Sequence, residues 1–246
     1  MNQQTQQVAI ITGASRGIGA AIAKRLAYDG YTVIVNYARQ QAEADELVSQ
    51  IERAGGRALG ARGDVSDPAT FPMLFDRAEE AFGGVDVLIN NAGIMNLSTL
   101  ADSDDGLFDR QIAINLKGTF NGLREASRRL RNGGSIVNFS TSVVGLKLET
   151  YGVYAATKAA VETLTAILAK ELRGRGINVN AVAPGPTGTD LFLKGKPQEV
   201  IDRMAKMAPL ERLGTPEDIA AAVAFLVGQD GSWINGQVLR ANGGLI

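Results

Sequence analysis

Short apolar runs alternate with longer helical patterns along the whole chain. The runs predict strands over residues 8–11, 32–35, 58–62, 85–89, 135–139, 177–182 and 237–240. Most of them are apolar at consecutive positions, which is typical of strands buried on both faces. Because helical segments separate them without a break in composition, we predict one α/β domain over residues 1–246. Its expected fold is Rossmann-type, a doubly wound parallel sheet with helices on both faces.

Between the strands, apolar residues recur every three or four positions and predict helices. We expect helices over residues 40–54, 107–131 and 215–226, and one that starts at residue 67. Asp67 is the expected N-cap of that helix, with Pro68 in its first turn. Residues 187–207 mix polar and apolar positions, and we expect this long connection to be irregular.

Three glycines follow the first predicted strand. Gly13, Gly17 and Gly19 stand in a Gly-x3-Gly-x-Gly spacing before a predicted helix. Glycines at such a junction allow a tight turn and a close approach of the backbone to a diphosphate. The helix N-terminus directs free N–H groups at the same place. The pattern therefore predicts a nucleotide site, with an ordinary turn as the alternative.

The end of the second strand distinguishes between the two nicotinamide cofactors. An acidic residue there would bind the ribose diol of NAD. This chain has Asn36, Tyr37 and Arg39 instead, and Arg16 projects from the glycine loop. Two arginines without a carboxylate suit a 2′-phosphate, so we predict NADP(H), with ordinary surface arginines as the alternative. At the end of the next strand, Asp64 is a candidate acceptor for the adenine amino group.

A tyrosine and a lysine share one face of an alanine-rich predicted helix. Tyr154 and Lys158 are four residues apart, which places them about one turn from each other. A free tyrosine has a pKa near ~10, and a nearby ammonium lowers it toward the working range of an acid–base catalyst. The spacing is consistent with a catalytic pair, and a solvated helix face is the alternative.

The composition narrows the chemistry further. The chain has no cysteine and no histidine, which excludes disulfides, thiolate catalysis, imidazole triads and thiolate or imidazole metal sites. Its net charge of −1 gives no support for a nucleic-acid or membrane-surface partner. Residues 1–7 are polar and unlike a signal peptide, and no apolar run approaches the ~20 residues of a membrane span. We expect a soluble, cytoplasmic protein without a metal.

Together these motifs resemble the short-chain dehydrogenase/reductase family. They occur in the family's order over residues 8–243: Thr12-Gly13-x3-Gly17-x-Gly19, Asn90-Asn91-Ala92-Gly93, Asn115, a hydroxyl after the fifth strand, Tyr154-x3-Lys158 and Pro184-Gly185. The resemblance implies reduction of a ketone, aldehyde or 3-oxoacyl group to an alcohol by hydride transfer from NADPH, in a reversible reaction.

The resemblance also implies a role for each residue. Tyr154 would protonate the carbonyl oxygen, Lys158 would lower the pKa of Tyr154 and hold the nicotinamide ribose, and Asn115 would support a water beside Lys158. The residues expected along the cofactor are Gly13, Ser15, Arg16, Gly17, Ile18, Gly19, Asn36, Tyr37, Arg39, Asp64, Val65, Asn91, Ala92, Gly93, Tyr154, Lys158, Pro184, Gly185, Thr187 and Thr189.

The catalytic hydroxyl departs from the family pattern. The family's serine lies thirteen residues before the tyrosine, and that position is Thr141 here. Ser142 has the usual residue type and precedes a family-like Val-Val-Gly, but it lies twelve residues before Tyr154. Either hydroxyl can bond a substrate oxygen; we prefer Ser142, with Thr141 as the alternative. Tyr151 is interpreted as a decoy, because no lysine follows four residues later.

Residues 186–208 resemble the family's substrate lid. Apolar residues in this segment, such as Leu191, Phe192 and Met204, suggest a pocket wall. We expect a small-molecule substrate and a homotetramer or homodimer, as is common in the family. The alternatives are a 3-oxoacyl-[acyl-carrier-protein] reductase, with basic helix ends docking the carrier, an NAD-dependent sugar or alcohol dehydrogenase, and a non-catalytic NADP-binding sensor.

Overall fold

A parallel sheet of seven strands forms the centre of the computed structural model, which describes residues 6–246. The strands are β1 Val8–Ile11, β2 Thr32–Tyr37, β3 Arg57–Arg62, β4 Val87–Asn90, β5 Ser135–Phe139, β6 Asn178–Pro184 and β7 Val238–Ala241. Their spatial order is β3-β2-β1-β4-β5-β6-β7. The order reverses between β1 and β4, and open α/β sheets bind ligands at the carboxyl ends of the strands at such a switch point. The predicted Rossmann-type fold is confirmed.

Helices cover both faces of the sheet. They are α1 Gly17–Tyr28, α2 Gln41–Arg53, α3 Thr70–Phe82, α4 Asp105–Gln111, α5 Gly118–Arg129, α6 Val143–Leu146, α7 Gly152–Glu171, α8 Asp190–Leu193, α9 Gln198–Met207 and α10 Pro216–Val227. Alternate residues of β1 enter different cores, because successive side chains of a strand point to opposite faces. Ala9 and Ile11 join the core under α1 and α10, while Val8 and Ile10 join the core under α3 and α5.

One predicted helix start and one predicted loop are wrong. The helix expected from Asp67 starts at Thr70, because the Asp67 carboxylate accepts from the Ala69 N–H and closes a separate turn that contains Pro68. In the lid, residues expected to be irregular form α8 and α9. The start of α10 agrees with its pattern, since Thr215 and Asp218 form a reciprocal capping box.

The long helix predicted over residues 107–131 is interrupted. It begins at Asp105, capped by the Asp104 carboxylate, and passes through a π-helical segment, Ile112–Lys117, before α5. The π segment contains Asn115, and π-bulges are frequent at functional sites.

Two glycines let α5 approach the sheet closely. A Cβ at Gly118 would lie 2.7 Å from Val65 Cγ2, and a Cβ at Gly122 would overlap Asn90 Oδ1 and the Phe71 ring. The helix that follows the π segment is therefore seated against β4 and α3 with no room for larger side chains. Within residues 6–246, the structure has no helix of the length and apolarity needed to cross a bilayer.

Candidate active site

The glycine loop lies at the switch point and is shaped by contacts that only glycine allows. Gly13 and Gly17 adopt left-handed backbone angles, with φ of 61° and 56°. A Cβ at Gly13 would lie 2.9 Å from Ala92 Cα, and one at Gly19 would lie 2.5 Å from Gly13 O. The loop therefore packs directly on the segment after β4, and α1 starts at Gly17 with its N-terminus facing the cleft.

A small polar network joins the ends of β1 and β4. The Thr12 hydroxyl donates to Ile89 O and accepts from the backbone N–H groups of Asn91 and Ala92. In return, Asn91 Nδ2 donates to Thr12 O at 2.9 Å and to Gly13 O at 3.1 Å. These bonds fix the relative position of the two loops that form the floor of the cleft.

A long cleft runs along this edge of the sheet and collects most of the predicted cofactor residues. Those that line it are Gly13, Ser15, Arg16, Gly17, Ile18, Gly19, Asn36, Tyr37, Arg39, Asp64, Val65, Asn91, Ala92, Gly93 and Thr189. Their convergence from the ends of five strands is the arrangement that an extended dinucleotide requires.

At one end of the cleft, the two arginines predicted to select the cofactor are both exposed. Arg39 follows β2, and the Arg16 guanidinium lies 3.3 Å from the Asp190 carboxylate on α8. Asn36 differs from its expected role, because its amide is buried and donates to Ala61 O and Gly63 O, tying β2 to β3. Nearby, the Asp64 carboxylate accepts from the backbone and hydroxyl of Ser66.

A second, more apolar pocket opens from the cleft. The predicted site residues that line it are Ile18, Asn91, Gly93, Thr141, Ser142, Tyr154, Lys158, Pro184, Gly185, Thr187 and Thr189. Residues of both loops and of the lid, among them Gly93, Thr189 and Leu191, line both spaces. The two cavities are therefore one continuous site, with the predicted nucleotide at one end and the predicted chemistry at the other.

Tyr154 and Lys158 lie side by side on α7, at the wall of this pocket. They are 8% and 4% exposed, and Lys158 Nζ lies 5.9 Å from the Tyr154 ring centroid. Lys158 Nζ also donates to Phe139 O at 2.8 Å, at the end of β5. The four-residue spacing thus produces a buried pair instead of a solvated helix face.

Burial determines the titration of both groups. It raises the pKa of Tyr154 to about 12, against a smaller lowering by the hydrogen bond with Thr141. It also lowers the pKa of Lys158 to about 8. The sequence predicts that Lys158 lowers the pKa of Tyr154, but the net shift of this pKa in the structure is upward. The reason is that moving the phenolate out of water costs more free energy than the neighbouring groups supply by stabilising it.

The two candidate hydroxyls have different surroundings. Thr141 lines the pocket together with Tyr154, and its hydroxyl lowers the pKa of that phenol, while it accepts from the Val143 N–H at 3.3 Å. Ser142 is 2% exposed, and its hydroxyl donates to Ala183 O at 3.2 Å and accepts from Asn242 Nδ2 at 3.0 Å. The Ser142 hydroxyl is therefore occupied by Ala183 and Asn242, whereas the Thr141 hydroxyl lies beside the phenol in the pocket.

Asn115 lies behind the floor of the pocket. Its Oδ1 accepts from the Ile94 N–H at 2.8 Å, and its Nδ2 donates to Ile94 O at 2.9 Å. A Cβ at Gly93 would lie 3.3 Å from Asn115 Oδ1 and 3.5 Å from Lys158 Nζ. Asn115 thus fixes the loop that separates it from Lys158.

Three residues of the site escaped prediction. Tyr151 lines the pocket and packs edge-on against Tyr154, with ring centroids 6.4 Å apart. The three-residue spacing was a usable signal for this contact, since such residues share a helix face. Asn242 and Asp190 gave no local signal, because their partners lie 100 and 174 residues away.

Comparison with known proteins agrees with this site. A family model described as enoyl-(acyl carrier protein) reductase matches residues 13–246. A short-chain type dehydrogenase/reductase of Picea abies is 45% identical, covering 98% of this chain and 92% of its own length. The NADPH-dependent aldehyde reductase 2, chloroplastic, of Arabidopsis thaliana is 44% identical, covering 98% and 94%. A short chain dehydrogenase from Burkholderia cenocepacia, solved in complex with NADP, has a TM-score of 0.92 at 38% identity, covering 99% of both chains.

The fold, the glycine loop and the Tyr154–Lys158 pair therefore define a dinucleotide-dependent oxidoreductase. The chain belongs to the short-chain dehydrogenase/reductase family.

Proposed function

We propose that this protein is an NADP(H)-dependent carbonyl reductase that converts an apolar ketone or aldehyde to an alcohol. The observation that carries the proposal is the buried Tyr154, with Lys158 and Thr141 beside it, in a pocket continuous with the nucleotide cleft. No imidazole or thiol competes for the acid–base role, since the chain has neither histidine nor cysteine.

The cleft fits the dinucleotide. Gly13 and Gly19 let the loop pack tightly on itself and on the segment after β4 at the floor of the cleft, and the N-terminus of α1 can bind the diphosphate. Arg16 and Arg39 flank the adenosine end, and the four residues after Val35 include no acid to bind a ribose diol. The NADPH-dependent relative and the NADP-bound structure support NADP(H) over NAD(H).

The residues of this chain would share the remaining work. When bound, NADPH supplies the hydride. Tyr154 donates the proton to the carbonyl oxygen, and its raised pKa keeps it in the acid form at neutral pH. Thr141 donates a hydrogen bond to the same oxygen, and Lys158 stabilises the phenolate left after proton transfer. Pro184, Gly185 and Thr187 also line the pocket.

The character of the pocket suggests the substrate class. Besides the polar groups above, it is lined by Met95, Val143, Leu146, Leu191, Phe192 and Met204. Among the described residues that line this pocket, Lys158 is the one with a charged side chain, and its ammonium already donates a hydrogen bond to Phe139 O. A neutral, largely apolar carbonyl compound therefore fits better than a sugar or a charged acid.

An NADPH-oxidation screen tests this proposal. Apolar ketones and aldehydes, 3-oxoacyl thioesters and sugars would be offered with NADPH or NADH, with the alcohol product identified by mass spectrometry. We expect turnover of the first group with NADPH. A preference for 3-oxoacyl thioesters would favour a 3-oxoacyl-[acyl-carrier-protein] reductase. A preference for sugars with NADH would favour an NAD-dependent sugar or alcohol dehydrogenase. Binding of NADPH without turnover of any carbonyl would favour the sensor. The cytoplasmic location and the homotetramer or homodimer stay predictions from the sequence.

A further inference from the structure

The C-terminal end of the sheet reaches the catalytic loop through one side chain. Asn242 follows β7, and its Nδ2 donates to Ser142 Oγ at 3.0 Å, across 100 residues of sequence. The end of β6 lies between them, where Gly185 packs flat on Asn242; a Cβ at Gly185 would lie 2.8 Å from Asn242 Cβ.

The orientation of the Asn242 amide is fixed by its other bonds. Its Oδ1 accepts from the Gly244 N–H at 3.1 Å, and this backbone group can only donate. Nδ2 must therefore face Ser142. The Asn242 carbonyl accepts from the Leu245 N–H at 3.3 Å, so a turn of the C-terminal tail holds the residue in place.

Ser142 passes this constraint on to the loop after β5. Its hydroxyl accepts from Asn242 and donates to Ala183 O, and its backbone N–H donates to Pro184 O at 2.9 Å. A hydroxyl has one proton to donate, and here it is committed to Ala183. Ser142 is therefore an anchor, and the adjacent Thr141 is left to face Tyr154.

We propose that Asn242 is a positioning residue, which acts through Ser142 to hold the Thr141 hydroxyl against Tyr154. The inference rests on the proposed carbonyl reduction. Asn242 lies outside the residues that line the cleft and the pocket, so it acts on the chemical step without touching substrate or cofactor.

Two consequences distinguish positioning from mere stabilisation. Displacing Thr141 should lower kcat by roughly 10- to 100-fold, because misplacement of a group by about 1 Å has costs of this size. It should leave the KM for NADPH nearly unchanged. It should also remove the hydrogen bond that lowers the pKa of Tyr154, whose other titratable neighbours are Lys158 and Tyr151. Alcohol oxidation needs the phenolate. The rise of its rate with pH should therefore be shifted to higher pH than in the wild type.

The experiment compares Asn242→Ala with Asn242→Asp and Asn235→Ala. An aspartate at 242 keeps a bond to Ser142, because the Ser142 hydroxyl can turn from Ala183 O and donate to the carboxylate while its backbone N–H still holds Pro184 O; we therefore expect most of the kcat lost in Asn242→Ala to return. Asn235 is the matched control: its Oδ1 accepts from the Val179 N–H at 2.8 Å just before β7, far from the loop. We expect Asn235→Ala to lower the melting temperature without changing kcat or the pH profile.

The double variant Asn242→Ala/Ser142→Ala should lower kcat by no more than the more damaging of the two single variants, because both substitutions remove the same interaction. Wild-type kcat in Asn242→Ala, or a loss that Asn242→Asp does not restore, would overturn the inference. Tyr154→Phe separates this result from the proposed function. An inactive Tyr154→Phe beside a fully active Asn242→Ala rejects only the positioning role, whereas an active Tyr154→Phe rejects the proposed chemistry itself.

Discussion

The Arg16 guanidinium lies 3.3 Å from the Asp190 carboxylate and joins the glycine loop to the first helix of the lid. Both side chains are more than half exposed, at 58% and 74%, so the pair contributes little to stability. Arg16 is also a predicted ligand of the 2′-phosphate of NADPH. The Asp190 carboxylate and that phosphate would therefore compete for the same guanidinium.

Removing the carboxylate should therefore favour the phosphorylated cofactor. We expect Asp190→Asn to tighten NADPH binding several-fold and Arg16→Ala to weaken it by about tenfold, with little effect on NADH in either variant. Titration followed by NADPH fluorescence measures both. Arg53→Ala is the control, because Arg53 makes a similar exposed pair with Glu46 away from the cleft. Equal effects on NADH would contradict the role of Arg16.

Replacing the phenol should abolish proton transfer while keeping the binding site. We expect Tyr154→Phe to lower carbonyl-dependent NADPH oxidation by about 10²- to 10⁴-fold. NADPH affinity should stay within a few-fold of the wild type. Tyr151→Phe is matched in size and shares the pocket wall, and it should retain most of the activity. Similar losses in the two variants would mean that packing, not acid catalysis, limits the rate.

The two neighbouring hydroxyls should respond differently. Thr141→Val keeps the shape of the side chain and removes the group that bonds Tyr154, so we expect kcat to fall by roughly 100-fold. Ser142→Ala removes only an anchor and should cost less. Steady-state kinetics at neutral pH, with thermal melting to verify folding, decides between them. A larger loss in Ser142→Ala would reinstate the serine as the catalytic group.

The stability of the protein should depend on pH through the buried pair. Between pH about 8 and the ordinary lysine value near ~10.4, the unfolded chain binds a proton that folded Lys158 has lost. The free energy of unfolding should therefore rise with pH in this window, with a slope of at most about 1.4 kcal/mol per unit. Above the ordinary tyrosine value near ~10 and up to about 12, folded Tyr154 keeps a proton that the unfolded chain has lost, so stability should fall.

Denaturant unfolding at several pH values measures this profile. Lys158→Met should remove the rising part, because methionine fills a similar space without titrating. Lys170→Met, at the exposed end of the same helix, should keep it. A rising part that survives in Lys158→Met would show that another group causes it.

The sheet and most of the site could be predicted because their signals are local. Val8–Ile11 and Ser135–Phe139 were predicted with the bounds that the structure shows, since most residues of a strand that is buried on both faces are apolar and stand out as a run. Tyr154 and Lys158 meet because one helical turn places them together. Where a short cap or turn competes with a helix, as at Asp67, propensity alone cannot decide the boundary.

The remaining features depend on contacts between distant segments. The bond that Ser142 accepts comes from Asn242, 100 residues away, and the pKa of Tyr154 is dominated by the burial that the whole fold imposes. The π segment at Asn115 forms where the helix must meet the Ile94 backbone. No window of sequence around these residues contains that information.

The close packing of α5 against the sheet limits which substitutions this protein can accept. Gly118 and Gly122 fix the distance between α5 and the sheet, and the π segment that leads directly into α5 carries Asn115. Any side chain at Gly122 would push the helix outward and move Asn115 with it. The lid of α8 and α9 lies apart from this helix, so new side chains at Leu191, Phe192 or Met204 can change substrate preference without moving Asn115.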